Sequence, residues 1–166
     1  MAVGDQLVEA DETFAVNISD AKFDGANDPA RVVIGDAQAV GTIRNDDVFG
    51  ISISDVSLSE GDSGVTDFVF TITSNRLADE DVSFLVNTAD LFEAAAGSDY
   101  VAITNQLATI TAGSDTTTTT VSVLTDSIVE LNETFAVNLS EGRFDGVVDT
   151  SRVSFVDAQG LSLIHI

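Results

Sequence analysis

Two stretches of the chain carry three carboxylates at one shared spacing, Asp-x3-Glu-x2-Glu. The first set is Asp5, Glu9 and Glu12, and the second set is Asp126, Glu130 and Glu133. Three carboxylates held close together without a counter-charge raise one another's pKa values and destabilise the segment that carries them. A hard divalent cation removes that repulsion, and Ca²⁺ accepts about 6–8 oxygen ligands in flexible geometry. The spacing differs from that of an EF-hand loop, so it predicts either a calcium site of another kind or an acidic loop that only keeps the surface solvated.

The overall charge of the chain favours cations as ligands. The sequence has 28 Asp and Glu residues against 6 Lys and Arg residues, which gives a formal net charge of −22. Such a charge attracts cations and repels nucleic acids and anionic membranes. No basic residue lies between Arg76 and Arg143, so the second acidic set has no counter-charge near it in sequence. We therefore expect no nucleic-acid partner.

The chain lacks most of the residue types that catalysis needs. It has no Cys and no Trp, and His165 is its single histidine. A cysteine nucleophile and a thiolate metal site are therefore excluded, and no residue is placed to act as the base of a serine triad. Glu130 and Glu133 are three residues apart and would point at one ion, whereas a glycosidase pair flanks its sugar. We expect no enzymatic activity, and no membrane insertion either, because no apolar run approaches about 18 residues.

The two acidic sets belong to a longer internal repeat. Pairing residue n with residue n+121 aligns positions 4–38 with 125–159 without a gap, and 19 of those 35 positions are identical. A period of about 120 residues suits tandem sandwich domains. We therefore predict that residues 1–47 are the C-terminal part of one repeat, that 48–160 form a nearly complete repeat, and that 161–166 are a tail outside the repeat pattern. On this interpretation the sequence is a fragment of a longer chain, without a signal segment of its own.

The elements that must position the acids are predicted to be short β-strands. Alternating or β-branched runs occupy seven segments: 50–58, 66–73, 81–88, 106–111, 117–124, 134–140 and 152–156. This pattern predicts an all-β, immunoglobulin-like antiparallel Greek-key sandwich of about seven strands, with one short helical turn over 89–97. The second acidic set then falls in a loop between two strands, at one tip of the sandwich. The tail "LSLIHI" can supply a closing strand, because Leu163 and Ile164 align with Thr42 and Ile43.

Several further motifs occur in an ordered series along the chain. They are "LSEGDSG" with Glu60, "AAAGSDYVAI" with Asp99 and Tyr100, "ITAGSDTTTTTVSVLTDSIVELNETFAVNLS", and the "GTIRNDD" that closes the first copy. With this series the chain resembles the Calx-beta domain family, whose members are immunoglobulin-like sandwiches found in sodium–calcium exchangers and in large bacterial surface proteins. The resemblance covers 48–160 as one nearly complete domain and 1–47 as the end of another.

The resemblance implies a Ca²⁺ site at one end of the sandwich. Its ligands, transferred by position, are Glu60, Asp99, Asp126, Glu130 and Glu133 in the full copy, and Asp5, Glu9, Glu12, Asp46 and Asp47 in the partial copy. Exchanger domains have a run of Asp where this chain has "TDS", and the second copy lacks the closing acids of the first. We therefore expect a weak site that holds one ion per intact domain. We also expect the ring of Tyr100 to pack at a strand corner and not to contact a ligand.

The family resemblance also implies a biological setting. We expect a calcium-binding repeat of a large secreted or cell-surface protein, which stabilises the repeat array or supports adhesion and cell communication. Its partners would be the neighbouring repeats of the same chain and a protein or cell-surface ligand. The alternative is a structural spacer of the same fold that binds no calcium at physiological concentrations.

Overall fold

A computed structural model describes residues 4–166, so the first three residues of the predicted partial repeat lie outside the described part. The chain divides into two compact units. The first contains Gly4 and Glu9–Asp46, and the second contains Asp5–Val8 and Asp47–Ile166. None of the described residues forms a helix, and no segment among them is a candidate membrane-spanning helix. The predicted helical turn over 89–97 is therefore wrong.

The first unit is built around one pair of strands. Strand β1 (Glu12–Asn17) runs antiparallel to β2 (Gln38–Ile43), with Glu12 opposite Ile43 at one end of the pair. The ring of Phe14 lies over Gly41 and fills the space that a side chain would occupy there. Most side chains of both strands are exposed. A two-stranded pair of this kind buries little apolar surface of its own.

The second unit is a sandwich of two sheets, which confirms the predicted all-β fold. Its ten strands are β3 (Phe49–Ile53), β4 (Val56–Ser59), β5 (Gly64–Ser74), β6 (Val82–Asp90), β7 (Gln106–Ile110), β8 (Thr116–Thr125), β9 (Phe135–Phe144), β10 (Val147–Val148), β11 (Val153–Asp157) and β12 (Gln159–His165). One sheet has the order β4-β12-β9-β6-β7, with β10 beside β9, and the other has the order β11-β3-β5-β8. All seven predicted strands are present, and the first of them is divided into β3 and β4.

Alternating apolar residues from both sheets form the core. On β5, Phe68, Phe70 and Ile72 are fully buried, while the residues between them are exposed. On β9 of the opposite sheet, the Phe135 ring lies 6.2 Å from that of Phe68 and 6.1 Å from that of Phe70. The Tyr100 ring stacks on Phe135 at 4.4 Å. Phe135 therefore joins the two sheets at the place where β9 begins.

The first and last strands of the sandwich each change sheets. The chain leaves β3 and enters β4 at Ser54 and Asp55, and it leaves β11 and enters β12 at Ala158. These segments pair in parallel, β3 with β11 and β4 with β12, whereas the other pairings are antiparallel. The Asp55 carboxylate accepts a hydrogen bond from the N–H of Leu161 at 2.7 Å. This bond joins the two crossing points, although their residues are far apart in sequence.

The segment "LSLIHI" completes the sandwich as most of β12. Ser162 and Ile164 are buried, and the backbone of Ile164 exchanges two hydrogen bonds with Glu133, at 2.9 and 3.1 Å. The segment therefore occupies the place of a closing strand, as its alignment with β2 of the first copy indicates.

The second unit has two distinct ends. Residue Gly64 of β5 lies opposite Thr125 of β8 at one end, and Thr73 lies opposite Thr116 at the other. We call the first end the acid tip and the second the far end. The acid tip carries the loops 60–63, 91–105 and 126–134, and the far end carries the loops 75–81, 111–115 and 145–146.

Candidate metal centre

Three carboxylates converge at the acid tip. Asp99, Glu130 and Glu133 each offer a carboxylate oxygen, and these oxygens lie within 4.8 Å of one another. Two ligands on opposite sides of a Ca²⁺ ion are about 4.6–5.2 Å apart, since each Ca–O distance is about 2.3–2.6 Å. Three oxygens at this spacing fit one Ca²⁺ ion. Among residues 4–166 this is the one group of three or more acidic or histidine side chains that meets the spacing.

Asp99 is held in place by the backbone around it. Its N–H donates to the carbonyl of Ala95 at 3.0 Å, and its own carbonyl accepts from Leu124 at 2.9 Å. Its carboxylate oxygen Oδ2 also accepts a hydrogen bond from the Ala95 N–H at 2.7 Å. These bonds tie the long loop between β6 and β7 to the end of β8, so Asp99 faces the acid tip.

Tyr100 fixes the same loop from the core side. Its side chain is 1% exposed, and its hydroxyl donates to Oδ1 of Asp90 at 2.6 Å. Burial, together with the Asp90 carboxylate, raises the pKa of Tyr100 to about 12. The expectation that Tyr100 packs at a strand corner is confirmed.

Glu133 is positioned by the last strand of the sandwich. It lies just before β9, and both of its backbone groups pair with Ile164 of β12. Its side chain is 6% exposed. Burial, followed by the charges of Asp99, Glu130, Glu60 and Glu93, raises the pKa of Glu133 to about 7. A carboxylate in this setting needs a cation to remain ionised at little cost.

Glu60 and Asp126 lie at the same tip. Glu60 is buried, its N–H donates to the carbonyl of His165 at 3.0 Å, and its carbonyl accepts from the hydroxyl of Thr66. Burial and then the charge of Asp126, with smaller contributions from neighbouring acids, raise the pKa of Glu60. The Asp126 carboxylate caps its own loop by accepting from the N–H of Ile128 at 2.6 Å. The structure therefore brings all five acids of the full copy to one end of the unit, three of them within ligand spacing.

The acid tip contains two further acids that the sequence analysis did not single out. Asp62 and Glu93 both act electrostatically on the cluster. A backbone bridge to Thr134 places Glu93 at the acid tip, and Asp62 lies there because it follows Glu60 by two residues. Asp62 was within reach of sequence analysis, because it belongs to the same "SEGDSG" turn as Glu60. The position of Glu93 depends on pairing between neighbouring strand ends of one sheet, which are far apart in sequence, so it left no local signal.

The arginines of the second unit neutralise other acids. Arg76 pairs with Asp47, Arg143 with Glu141 and Arg152 with Asp149. Within the described part of the chain, none of the five candidate ligands of the full copy is in an ion pair with Lys or Arg. A cavity of about 270 Å³ opens beside Glu60 and Asp126. The donor set consists of hard carboxylate oxygens without a counter-charge, which fits Ca²⁺.

The acids of the partial copy have a different arrangement. Among the described residues of each unit, no three of these acids have carboxylate oxygens close enough to share one ion. The acids concerned are Asp5, Glu9, Glu12, Asp46 and Asp47. Asp5 accepts from the N–H of Leu7 at 2.9 Å, and Asp47 is ion-paired with Arg76 at 2.6 Å. Glu12 and Asp46 are exposed, and Glu9 is partly buried.

Comparison with known proteins gives one family match. The sequence model described as "Calx-beta domain" matches residues 1–47 and 42–158. A search of curated protein sequences found no match.

Solved structures give a consistent result for the fold. The chain is similar to the calcium binding domain CBD12 of CALX1.1, with a TM-score of 0.56 and 20% identity over 69% of this chain and 44% of that one. It is also similar to the apo-form Calx CBD1 domain (TM-score 0.53, 20% identity, 71% of this chain and 96% of that one). The Calx CBD2 domain gives a TM-score of 0.57 at 12% identity, over 69% of this chain and 85% of that one. The match thus spans less than half of the CBD12 chain, and identities this low show a shared fold.

Proposed function

The chain belongs to the Calx-beta domain family, and on this premise we propose that its second unit binds Ca²⁺ at the acid tip. The observation that carries the proposal is the convergence of Asp99, Glu130 and Glu133, whose oxygens lie within 4.8 Å of one another. These residues come from two separate loops, and none of them is in a described ion pair with a basic residue. One structural neighbour, CBD12 of CALX1.1, is a calcium binding domain, which supports the same assignment.

Each acid has a distinct part in the proposed site. Asp99, Glu130 and Glu133 hold the ion directly, and Glu60 and Asp126 add negative charge beside it. The ion supplies the positive charge that the acid tip lacks, and the site performs no catalytic step. With part of its ligands left to water, the site holds one ion, weakly, in the range of extracellular calcium modules, with a Kd of about 10⁻⁴–10⁻³ M.

The biological consequence of such a site is conditional stability. An ion that binds the folded unit and not the unfolded chain raises stability by RT ln(1 + [Ca²⁺]/Kd), which is about 1.4 kcal/mol at tenfold excess over Kd. We infer a role as a repeat of a secreted or cell-surface protein, where calcium is abundant. The proposed partners are neighbouring repeats of the same chain and an adhesion ligand.

Thermal unfolding tests the calcium site. The midpoint of the second unit is measured in EDTA, in about 5 mM Ca²⁺ and in about 5 mM Mg²⁺, a concentration above the expected Kd. We expect Ca²⁺ to raise the midpoint by several degrees and Mg²⁺ to raise it less, since Mg²⁺ demands a tighter octahedral shell. The double variant Glu130→Gln, Glu133→Gln should lose the Ca²⁺ response.

The matched control removes two charges from the opposite end of the unit. Glu80 and Asp145 are exposed in the loops of the far end, so the double variant Glu80→Gln, Asp145→Asn should keep the full Ca²⁺ response. Equal responses of the two double variants would place the ion elsewhere. No response of the unaltered chain would favour the spacer alternative, unless adding the closing "RNDD" of the first copy restored it.

A further inference from the structure

The short segment Asp5–Val8 is packed as part of the second unit. Val8 is 0% exposed, and its backbone pairs in parallel with Ala78 at the far end. The Val8 N–H donates to the carbonyl of Leu77 at 3.0 Å, and the Val8 carbonyl accepts from the N–H of Asp79 at 3.2 Å. We call Leu77–Asp79 the docking edge. Val8 forms hydrogen bonds with the backbone of Leu77 and Asp79 in this short segment, and its side chain is buried there.

The internal repeat gives Val8 a counterpart in the full copy. Val129 aligns with Val8, and Ile128 aligns with Leu7. Val129 is 94% exposed, and Ile128 and Leu131 are 61% and 69% exposed. Val8 is therefore buried on the docking edge, while its counterpart Val129 presents the same side chain to water. Clustered exposed apolar residues of this kind mark an interaction surface.

The two surfaces lie at opposite ends of the second unit. The docking edge belongs to the loop 75–81 at the far end, and Val129 belongs to the loop 126–134 at the acid tip. Surfaces at opposite ends of one domain form a head-to-tail contact, which extends a linear array and does not close a symmetric dimer. This placement matches a chain of tandem repeats.

We propose that Val129 is a docking residue that inserts against the docking edge of the repeat that follows it, as Val8 does in this chain. The partner is a second copy of this domain, joined at the C-terminal side. The contact consists of one buried valine side chain and two backbone hydrogen bonds beside Ala78. The contact uses none of the carboxylates of the calcium site, although Val129 lies next to Glu130 in the same loop.

Cysteine accessibility tests the docking directly, because the chain has no cysteine of its own. The full chain is extended by one repeat by joining residues 1–159 to residues 39–166, since Gln159 aligns with Gln38. A Val129→Cys thiol should react rapidly with a maleimide in the original chain. In the extended chain it should react about tenfold or more slowly, as expected for a group exposed only on local opening. Both reactions are run in EDTA, so that failure of the calcium site leaves the result unaffected.

Two reference positions calibrate the labelling rates. Val8→Cys should be protected in both chains, which also shows that the docking edge is folded, and Val147→Cys, on a residue 67% exposed, should react rapidly in both. A second variant pairs Val129→Cys with Ala78→Cys of the appended repeat, because parallel bridge partners have backbones about 4.8 Å apart and suit a disulfide. Mild oxidation should crosslink this pair and not the pair of Val147→Cys with the same Ala78→Cys. Equal labelling of Val129→Cys in the two chains, with Val8→Cys still protected, would overturn the proposal, and so would absence of the crosslink.

Discussion

Glu133 holds its carboxyl group almost fully buried among four other acids. Burial and those charges raise its pKa to about 7. At neutral pH the proton and a metal ion therefore compete for this group. Ca²⁺ binding should release protons below neutral pH, because a ligating carboxylate must be deprotonated.

The raised pKa predicts a pH dependence of stability in the absence of calcium. A carboxyl group whose folded pKa lies above its ordinary value of 4.5 stabilises the fold fully below that value and loses the contribution as pH rises through about 7. We expect the free energy of unfolding in EDTA to fall between about pH 4.5 and pH 8, by an amount on the order of 3 kcal/mol. Urea unfolding across this range measures it.

A variant and a second acid define the comparison. Glu133→Gln should flatten the fall, leaving the smaller contribution of Glu60, whose pKa is shifted in the same direction. The pKa of Asp149 is shifted in the opposite direction, because hydrogen bonds from Ser151 and Arg152 hold it well below 3.8. Its contribution is present above that value and is lost only as pH falls further, so it does not disturb the chosen range. Parallel curves for the variant and the unaltered chain would contradict the assignment to Glu133.

The strands that change sheets are the elements that close the sandwich. Gly160 lies where β12 begins to pass the end of β3, and a Cβ atom there would lie 2.7 Å from the Ser54 carbonyl oxygen. That neighbour is backbone and cannot rotate away. The close approach brings β12 beside β4 and so gives Glu133 its partner, Ile164.

Substitution of Gly160 should therefore lower the stability of the second unit. We expect Gly160→Ala to destabilise the second unit by about 1–3 kcal/mol, the usual range for overpacking a core site. Gly50→Ala is the matched control, because the atoms that a Cβ would meet there are the side-chain ends of Asn75 and Val156. Denaturant unfolding of both variants gives the comparison, and an equal or smaller loss at Gly160 would show that the crossing point can relax.

Local pattern was sufficient to predict most of these elements. Alternation of apolar residues located all seven predicted strands, since a half-buried strand repeats every two residues. The break between β3 and β4 was not predicted, because it depends on the bond from Leu161 to Asp55, 106 residues away. The alanines of "ADLFEAAAG" favour a helix locally, but bonds to Asp90 and Asp99 fold that segment as an irregular loop.

As with the strands, part of the candidate site could be predicted from the sequence. The repeated spacing was enough to single out Asp126, Glu130 and Glu133 as a set. That Asp99 joins them followed only from the family resemblance, because the contact between the two loops is long-range. The spacing also could not show that Asp126 is used partly for a turn, as its bond to Ile128 shows.

At the scale of the second unit, the two ends have different chemistry. The acid tip carries the carboxylate cluster and the exposed Val129, and the far end carries the docking edge with Val8 already in place. Calcium and the next repeat would therefore act on one loop. The opposite end holds Asp5–Val8, which packs as part of the second unit.

The parallel pairing of the terminal strands has a mechanical meaning. β3 and β4 begin the second unit at the far end, and β11 and β12 finish it at the acid tip, running in the same direction. A pulling force between the two ends slides these strands along each other. Their hydrogen bonds then carry the load together, whereas a force that separates two strands from one end breaks the bonds in sequence.

Single-molecule force spectroscopy can compare the two directions in the same unit. Handles on Val48→Cys and Ile166→Cys load the terminal strands in shear, and handles on Val48→Cys and Thr150→Cys peel β3 from β11 at their shared starting end. We expect a clearly higher rupture force in shear, because forced unfolding follows the barrier along the pulled direction. Equal forces would mean that another pair of strands yields first. Where such units are joined end to end, a force along the whole chain loads the terminal strands of every unit in shear, the more resistant of these two directions.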